Sequence, residues 1–279
     1  VPPCKQTIGT TSEGNRRWNQ FAVQNEGLNK YGKQRNDAKL VHSVSRMSAF
    51  LNLGIVSIFR LVWEVKRAQK LQSKKKASNG KTTKSKWDKS GADKYEEEIV
   101  KWREMSYAHA FSRSGDYDNV SSLPHWSVTC LNNHQSGRRG HTLQQLANGR
   151  TGDTKWDAMQ RYLVRTGELH NNVRMTWGKT VVEWVGCSDR QSTDTSAAQV
   201  TLQTLCYLND RYALDALSPP SYAGLLWCMG WTDKPSANSG WTIALKPAQR
   251  YRMTVQEFQL AEEKLLTTSI PRGVGNSAA

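Results

Sequence analysis

Residues 167–184 read GELHNNVRMTWGKTVVEW and contain an arginine in line with two tryptophans. Arg174, Trp177 and Trp184 are spaced by three and seven residues, so a helix of 3.6-residue period places them on one face. Tryptophans at this spacing usually pack a hydrophobic core. An arginine among them needs an anionic partner or a polar ligand, because an unpaired buried charge is very costly. The stretch therefore predicts a helix that packs a core, with an arginine that meets either an anionic partner or a polar ligand.

The composition limits the class of protein. The chain has 279 residues, 37% of them apolar and 11 of them Trp, which is enough for one large domain or two small ones. Its formal net charge of +15 favours a polyanionic partner such as nucleic acid, or an anionic membrane surface. No apolar run is long enough to span a bilayer, so we expect no membrane anchoring. The start, VPPCKQTIGT, has no initiator Met and no signal-peptide pattern, so we expect a piece of a longer protein.

The five cysteines are scattered, with no CxxC pair and no Cys/His spacing typical of zinc. They predict free thiols, no bound metal and an intracellular, reducing compartment, either the nucleus or an organelle in a eukaryote.

The order of elements predicts an all-α chain. Residues 1–43 are polar and rich in turn formers, and residues 46–69 have apolar residues at helical spacing. Residues 70–90 contain eight Lys and one Asp, which predicts a disordered insertion. This insertion could be a solvated linker or a loop that grips DNA, and it supplies much of the net charge. Further helices are predicted at 91–111, 140–166, 168–185, 198–212 and 254–267, with a polar loop at 186–197, turns at 217–224 and a flexible tail at 270–279.

Five motifs, in order, resemble the FAD-binding domain of the photolyase/cryptochrome family, and most closely the class II DNA photolyases. They are SRMSAFLNLGIVS (45–57), KYEEEIVKWRE (94–104), RTGDTKWDAMQ (150–160), GELHNNVRMTWGKTVVEW (167–184) and YLNDRYALD…PPSYAGLLWCMG (207–230). The resemblance covers residues 31–253. It implies a monomeric, helical FAD-binding domain over residues 44–269, without the family's N-terminal α/β antenna domain. The implied activity is light-driven splitting of cyclobutane pyrimidine dimers in DNA by electron transfer from reduced FAD.

The resemblance assigns cofactor contacts at two ends of FAD. For the pyrophosphate end it implies the hydroxyls of Ser45 and Ser48, the backbone amide of Met47 at a helix start, and Tyr31. The alternative is that Ser45 merely caps a helix.

For the flavin end the resemblance implies Arg174 over the ring system, paired with Asp215, and Asn209 facing the flavin N5 atom. The alternative for Asn209 and Asp215 is helix capping around a turn.

The resemblance also assigns a path for electrons and a site for the lesion. Trp177 is expected nearest the flavin, Trp156 is its exposed partner, and Trp184 completes the chain, since indole can lose an electron transiently. The expected lining of the lesion cavity is Glu98, Trp102, Asn171, Met175 and Trp227. A flipped-out dimer would stack on the two tryptophans and hydrogen-bond Glu98. Lys101 and Arg161 are candidates for phosphate contacts, although a solvated surface charge is the better explanation for either one alone.

Several departures separate this chain from the family pattern, among them a longer loop at 186–197 and a loosely matching segment at 246–253. DALSPPSY (215–222) stands where the family has DGRDPNSY, and Val44 stands where a Thr often precedes Ser45. Two other functions therefore remain open. One is a cryptochrome-like blue-light photosensor that binds FAD without repair activity, and the other is a basic nucleic-acid-binding module that needs no light.

Overall fold

The computed structural model describes residues 4, 6–78, 91–133, 140–185, 196–232 and 253–269. These residues form helices and contain no strand, which confirms the predicted all-α fold for the part described. The elements are α1 (Thr11–Asn19), π1 (Gln20–Gln24), α2 (Gly27–Gln34), α3 (Ser48–Asn52), α4 (Ile58–Ser78), α5 (Gly91–Glu96), π2 (Glu97–Trp102), α6 (Arg103–Ser112), a 3₁₀ turn (Val120–Ser122), α7 (His125–Asn133), α8 (Leu143–Ala147), α9 (Thr154–Thr166), α10 (Asn171–Val185), α11 (Ala197–Tyr212), α12 (Pro219–Cys228) and α13 (Val255–Ser269). No described helix combines the length and hydropathy that crossing a membrane requires.

The helices pack around two hydrophobic cores. The first core is formed by α1 to α5 with both π-helices, and its largest buried side chains include Trp18, Phe50 and Leu61. The second core is formed by the helices from α7 onward, and Trp156 and Trp177 lie at its centre. Burial of this many large side chains is the main source of stability for both halves.

The N-terminal segment is a correction to the sequence-based prediction. Residues 1–43 were expected to be polar and turn-rich, but they form α1, π1 and α2. Trp18, Phe21, Leu28 and Tyr31 from this segment are buried in the first core, where Phe21 and Tyr31 meet edge to face at 6.1 Å. A few large side chains at helical spacing are enough to fold a segment whose average composition is polar.

Other element boundaries also differ from the prediction. The helix predicted at 140–166 is divided into α8 and α9, and the helical segment predicted at 46–69 is divided into α3 and α4, in each case by a turn. The helix α4 continues to Ser78, so the first part of the predicted disordered insertion is helical, because Lys, Gln and Ala are good helix formers. The helix α12 begins at Pro219, inside the predicted turn cluster, and proline is well suited to a first helical turn. The predicted insertion beyond residue 78, the loop at 186–195 and the tail at 270–279 lie outside the described residues.

The turn between α9 and α10 is set by local sequence. Asp153 caps α9 by accepting hydrogen bonds from the backbone amides of Lys155 and Trp156. The helix ends at Gly167, whose φ of 69° lies in the left-handed region. An added Cβ there would lie 2.4 Å from Cγ of Leu214, so both the backbone conformation and the packing require glycine. Glu168 follows this glycine directly.

Glu168 joins the two cores through a network of ion pairs. Its carboxylate accepts hydrogen bonds from Arg17 of α1 at 2.9 Å and from Arg46, which precedes α3, at 2.6 Å. Burial alone would raise the pKa of Glu168, but the guanidinium groups of Arg46 and Arg17 lower it to about 2. Arg46 adopts a φ of 55°, which is unusual outside glycine. The network thus holds a strained residue in place.

We expect the Glu168 network to appear in the pH dependence of stability. The folded-state pKa lies below the usual value, so the stabilisation is present above about pH 4.5 and is lost as pH falls towards the folded pKa. Glu168→Gln should lower the free energy of unfolding at pH 7 by about 3–5 kcal/mol, because it leaves two partly buried arginines without their shared carboxylate. Urea denaturation at a series of pH values measures both effects.

Glu26→Gln is the matched control, because Glu26 forms an exposed ion pair with Lys30 at 3.0 Å. Exposed pairs contribute about 0–1 kcal/mol, so this variant should unfold nearly like the wild type. If Glu168→Gln showed the same slope of stability against pH as the wild type below pH 4.5, the network would not be the source of the acid sensitivity.

Candidate functional site

A cavity of about 390 Å³ lies between the two cores, within the range typical of small-molecule and cofactor sites. Its wall includes Tyr31, Met47 and Ile99 from the first core and Val173, Leu225 and Phe258 from the second. The predicted site residues on this wall are Tyr31, Ser45, Met47, Ser48, Glu98, Trp102, Asn171, Arg174, Met175, Asp215 and Trp227. Trp156, Trp177, Trp184 and Asn209 do not line it.

One end of the cavity presents hydroxyl groups and backbone amides. The helix α3 begins at Ser48, and its N-cap residue is Met47, which makes no side-chain capping bond. The alternative that Ser45 caps this helix is therefore wrong. The Ser45 hydroxyl instead accepts a hydrogen bond from Tyr95 at 2.8 Å, which leaves its own proton free to donate. Burial raises the pKa of Tyr31 to about 12, so its phenol remains a neutral donor.

The predicted pair of Arg174 and Asp215 is present. Arg174 Nη1 donates to both carboxylate oxygens of Asp215, at 2.8 and 2.9 Å, and Nη2 donates to Oδ1 of Asn209 at 2.5 Å. Asp215 is thus the anionic partner that Arg174 needs. Neither Asn209 nor Asp215 caps a helix, since Ser218 occupies the N-cap position of α12.

Asn209 is held from both sides of its amide. Its oxygen also accepts from Ser221 at 3.1 Å, and its nitrogen donates to Asp210 at 2.9 Å. Asp210 in turn accepts from the phenol of Tyr222 at 2.8 Å. The orientation of the Asn209 amide beside Arg174 is therefore fixed by protein contacts, and its contact with a flavin stays a prediction.

The helical stretch with π-type hydrogen bonding, π2, carries two of the predicted substrate residues. Such turns are rare and occur mostly at functional sites. Glu98 pairs with Arg35 at 3.0 Å and with Lys94 at 2.9 Å, and a carboxylate held by two cations accepts hydrogen bonds. Trp102 lies 5.1 Å from Trp227 between ring centroids, at an angle of 50°. The two rings form an apolar wall next to an ionic group.

The residues on the cavity wall that were not predicted include Arg35, His170 and Trp231. Arg35 lies one helical turn after Tyr31, and this spacing is the signal that could have found it. Burial lowers the pKa of His170 to about 4, so the ring is neutral at pH 7. Its Nδ1 accepts from the Asn172 amide, and its Nε2 has no hydrogen-bond partner in the described structure. A buried donor of this kind is suited to a polar ligand.

The three predicted redox tryptophans form a row beside the cavity, but their order corrects the prediction. Trp156 is not exposed: it is fully buried and lies between the other two rings. It stacks with Trp177 at a centroid distance of 6.4 Å and meets the edge of Trp184 at 5.4 Å. Trp184 is the least buried of the three and contacts His141. The prediction failed because the packing of α9 against α10, and not the motif, decides which ring faces solvent.

The two candidate phosphate contacts lie on the surface, and their contact with DNA stays a prediction. Lys101 and Arg161 are exposed, with the ammonium of Lys101 near the ring of Trp102 and Arg161 bonded to the carbonyl of Gly149. Among the described residues, no group of three or more His, Cys, Asp or Glu side chains could hold a metal ion.

Together these observations describe a helical structure with a cavity between its two cores and three mutually packed tryptophans in the second core. The sequence is similar to curated proteins named deoxyribodipyrimidine photo-lyase. It is 29% identical to the one from Oryza sativa subsp. japonica, 29% to that from Potorous tridactylus and 30% to that from Methanothermobacter thermautotrophicus, in each case over 75% of this chain. The chain spans 36–40% of the length of these relatives, and no protein-family model matches it. The resemblance to the photolyase family is confirmed.

We expect two helical glycines to respond oppositely to the same substitution. Gly224 of α12 lines the cavity, and an added Cβ would meet no atom within 4 Å, whereas an added Cβ at Gly178 of α10 would lie 2.5 Å from the Sγ of Cys228. Gly224→Ala should therefore raise the free energy of unfolding by about 0.5–1 kcal/mol. Gly178→Ala should lower it by about 1–3 kcal/mol. Thermal denaturation compares the two.

The larger variant Gly224→Leu should fold and retain less bound ligand, because its side chain enters the cavity. A Gly224→Leu variant that unfolds would show that the space beside α12 is not open.

Proposed function

We propose that this chain is the FAD-binding, catalytic part of a class II-type DNA photolyase, which splits cyclobutane pyrimidine dimers under blue light. The observation that carries the proposal is the arrangement on α10. Arg174 and Met175 lie on the cavity wall, and Trp177 begins the row of indoles two residues later. The similarity to curated photo-lyases supports light-driven DNA repair as the general activity.

The cavity fits FAD in its chemistry. The hydroxyls of Ser45 and Ser48 and the amides at the start of α3 suit a pyrophosphate, and the buried Nε2–H of His170 suits a polar acceptor. Arg174 and Asp215 together present a neutral, hydrogen-bonding pair where a flavin ring would bind. When bound and reduced, FAD would supply the electron that blue light transfers to the lesion.

The tryptophan row provides a path for an electron from Trp184, the least buried ring, through Trp156 to Trp177. Centroid distances of 5.4 Å and 6.4 Å join Trp184 to Trp156 and Trp156 to Trp177. The indole nitrogen of Trp156 donates to the carbonyl of Trp177, and that of Trp177 donates to Gln160. These bonds fix the rings in place, so each step of the path has a constant length.

The other side of the cavity is suited to a flipped-out pyrimidine dimer. Trp102 and Trp227 offer flat apolar surfaces for stacking. Glu98, held by Arg35 and Lys94, can accept a hydrogen bond from a base N3–H group. A dimer is poorly stacked in duplex DNA, so extruding it costs less than extruding an intact base. The cavity therefore favours damaged DNA for two reasons: a dimer costs less energy to extrude, and its bases match the contacts that the cavity wall offers.

We expect Trp177→Phe and Trp156→Phe each to abolish light-driven reduction of bound, oxidised FAD, because phenylalanine is much harder to oxidise. Repair by chemically reduced enzyme should remain, since that reaction does not need the row. The measurement is the flavin absorption spectrum during blue illumination with an external reductant. Trp156 should matter as much as Trp177, because it lies between Trp177 and Trp184.

Trp18→Phe is the control, because Trp18 is also buried and hydrogen-bonded, to Glu64, but lies in the other core. It should photoreduce like the wild type. Photoreduction at the wild-type rate in Trp177→Phe would show that electrons reach the cavity by another route.

Repair should depend on the two residues of the lesion wall in different ways. Trp227→Ala should weaken binding of dimer-containing DNA by about 1–3 kcal/mol, the stacking energy of one base, and leave binding of undamaged duplex nearly unchanged. Glu98→Ala should keep the flavin spectrum but lower the repair yield per absorbed photon. The assay follows restoration of intact thymines in an irradiated oligonucleotide, with reduced enzyme and a dark control.

Glu104→Ala, which removes an exposed carboxylate from α6, serves as the matched control. A flavin-loaded wild type without light-dependent repair, on cyclobutane dimers or (6-4) photoproducts, would contradict the proposal and indicate a photosensor. Wild-type protein that binds DNA but no flavin would indicate the light-independent nucleic-acid module.

A further inference from the structure

The outward face of α4 carries two aromatic rings that no core covers. Phe59 is 83% exposed and Trp63 is 58% exposed, one helical turn apart. The opposite face of the same helix, with Leu61 and Val65, is fully buried in the first core. Large aromatic side chains placed in line on a solvent face indicate a contact surface.

The same outward face is strongly basic. Arg67, Lys70 and Lys74 follow Trp63 along it, are exposed, and form no ion pair with a described residue. Lys66 and Arg60 lie on the flanks, and each is already paired with a glutamate. From Phe59 to Lys74 the surface is about 22 Å long, at 1.5 Å per residue. We call the surface formed by Phe59, Trp63, Arg67, Lys70 and Lys74 the α4 stripe.

The geometry of Trp63 suits stacking. The guanidinium of Arg67 lies 4.8 Å from the ring centroid, so one face of the indole is covered by a cation and the other remains for a planar group. Duplex DNA hides the faces of its bases, whereas a single strand exposes them. Aromatic rings followed by cations that track the backbone are the usual means of binding single strands.

We propose that the α4 stripe is a binding site for single-stranded nucleic acid, separate from the cavity and independent of flavin and light. Bases stack on Phe59 and Trp63, and Arg67, Lys70 and Lys74 contact the phosphates that follow. The charge of the stripe selects a polyanion over an apolar protein segment. This site needs no lesion, so the proposal stands apart from the repair activity.

The test is fluorescence anisotropy of an undamaged, labelled oligothymidine with the full 279-residue chain in the dark, at several salt concentrations. Trp63→Ala should raise the Kd by about 5- to 150-fold, the equivalent of one stacked base. Lys70→Gln combined with Lys74→Gln should reduce the slope of log K against log salt by about 1.4, because each phosphate that a lysine neutralises adds about 0.7 to that slope.

Three controls separate this site from other causes. Phe111→Ala removes an exposed ring from α6, away from the stripe, and should leave the Kd unchanged. Lys33→Gln combined with Lys155→Gln removes two positive charges from exposed positions outside the stripe. This double variant should keep the wild-type slope of log K against log salt. Leu53→Ala removes an exposed apolar side chain that lies outside both the stripe and the cavity wall, and it should bind oligothymidine like the wild type. Circular dichroism confirms that each variant is folded.

Equal losses for the stripe variants and their controls would overturn the proposal, because binding would then follow net charge alone. Oligothymidine binding by Trp63→Ala at the wild-type Kd would overturn it too, because the strand would then bind elsewhere. Concentration-dependent dimerisation that Trp63→Ala abolishes, without any effect on oligothymidine binding, would show that the stripe contacts another protein surface instead.

Discussion

The carboxylate of Glu168 connects the two halves of this molecule, and the cavity depends on that connection. Glu168 lies just beyond α9 in the second core, while Arg17 and Arg46 belong to the elements of the first. Its position is set by Gly167, where packing against Leu214 leaves no room for a side chain. Because the cavity wall is drawn from both cores, the ion pairs that hold them together also keep the site open. Arg46 lies between Ser45 and Met47 in the chain. Its ion pair with Glu168 therefore also helps to position the end of the cavity that presents hydroxyl groups.

The turn after Asp215, which differs from the family pattern, is stabilised by hydrogen bonds that include one from Asn52 of α3. Leu217 adopts a φ of 54°, a conformation that costs a non-glycine residue roughly 1–2 kcal/mol. The carbonyl of Asp215 accepts from Asn52 at 3.2 Å and from Ser218 at 2.9 Å, and these two side chains also bond to each other. The carboxylate of Asp215 therefore keeps its place beside Arg174, although the turn differs from the family pattern. Ser218, one of the departures, provides part of this support.

The sequence predicted those features that follow from a local rule. The helical class followed from periodicity, and the need of Arg174 for an anionic or polar partner followed from the cost of burying a charge. The choice of Asp215 as that partner came from the resemblance to the family. The N-terminal segment was predicted wrongly because Trp18, Phe21 and Leu28 are few, and their importance depends on partners far along the chain. The middle position of Trp156 depends on how α9 packs against α10, which no spacing within one motif reveals. His170 was missed for the same reason, since the cavity assembles its wall from separate elements, whereas the spacing of Arg35 from Tyr31 was a local signal that could have found it.

The most direct measurement of the central claim, that the cavity between the two cores is a flavin site, is the absorption spectrum of the purified chain before and after incubation with FAD. The account predicts a yellow protein with one tightly bound FAD per chain. It also predicts that Arg174→Ala retains less flavin, because this variant removes a charged hydrogen-bond donor from the cavity wall. A colourless, folded wild-type protein that takes up no added FAD would contradict the account.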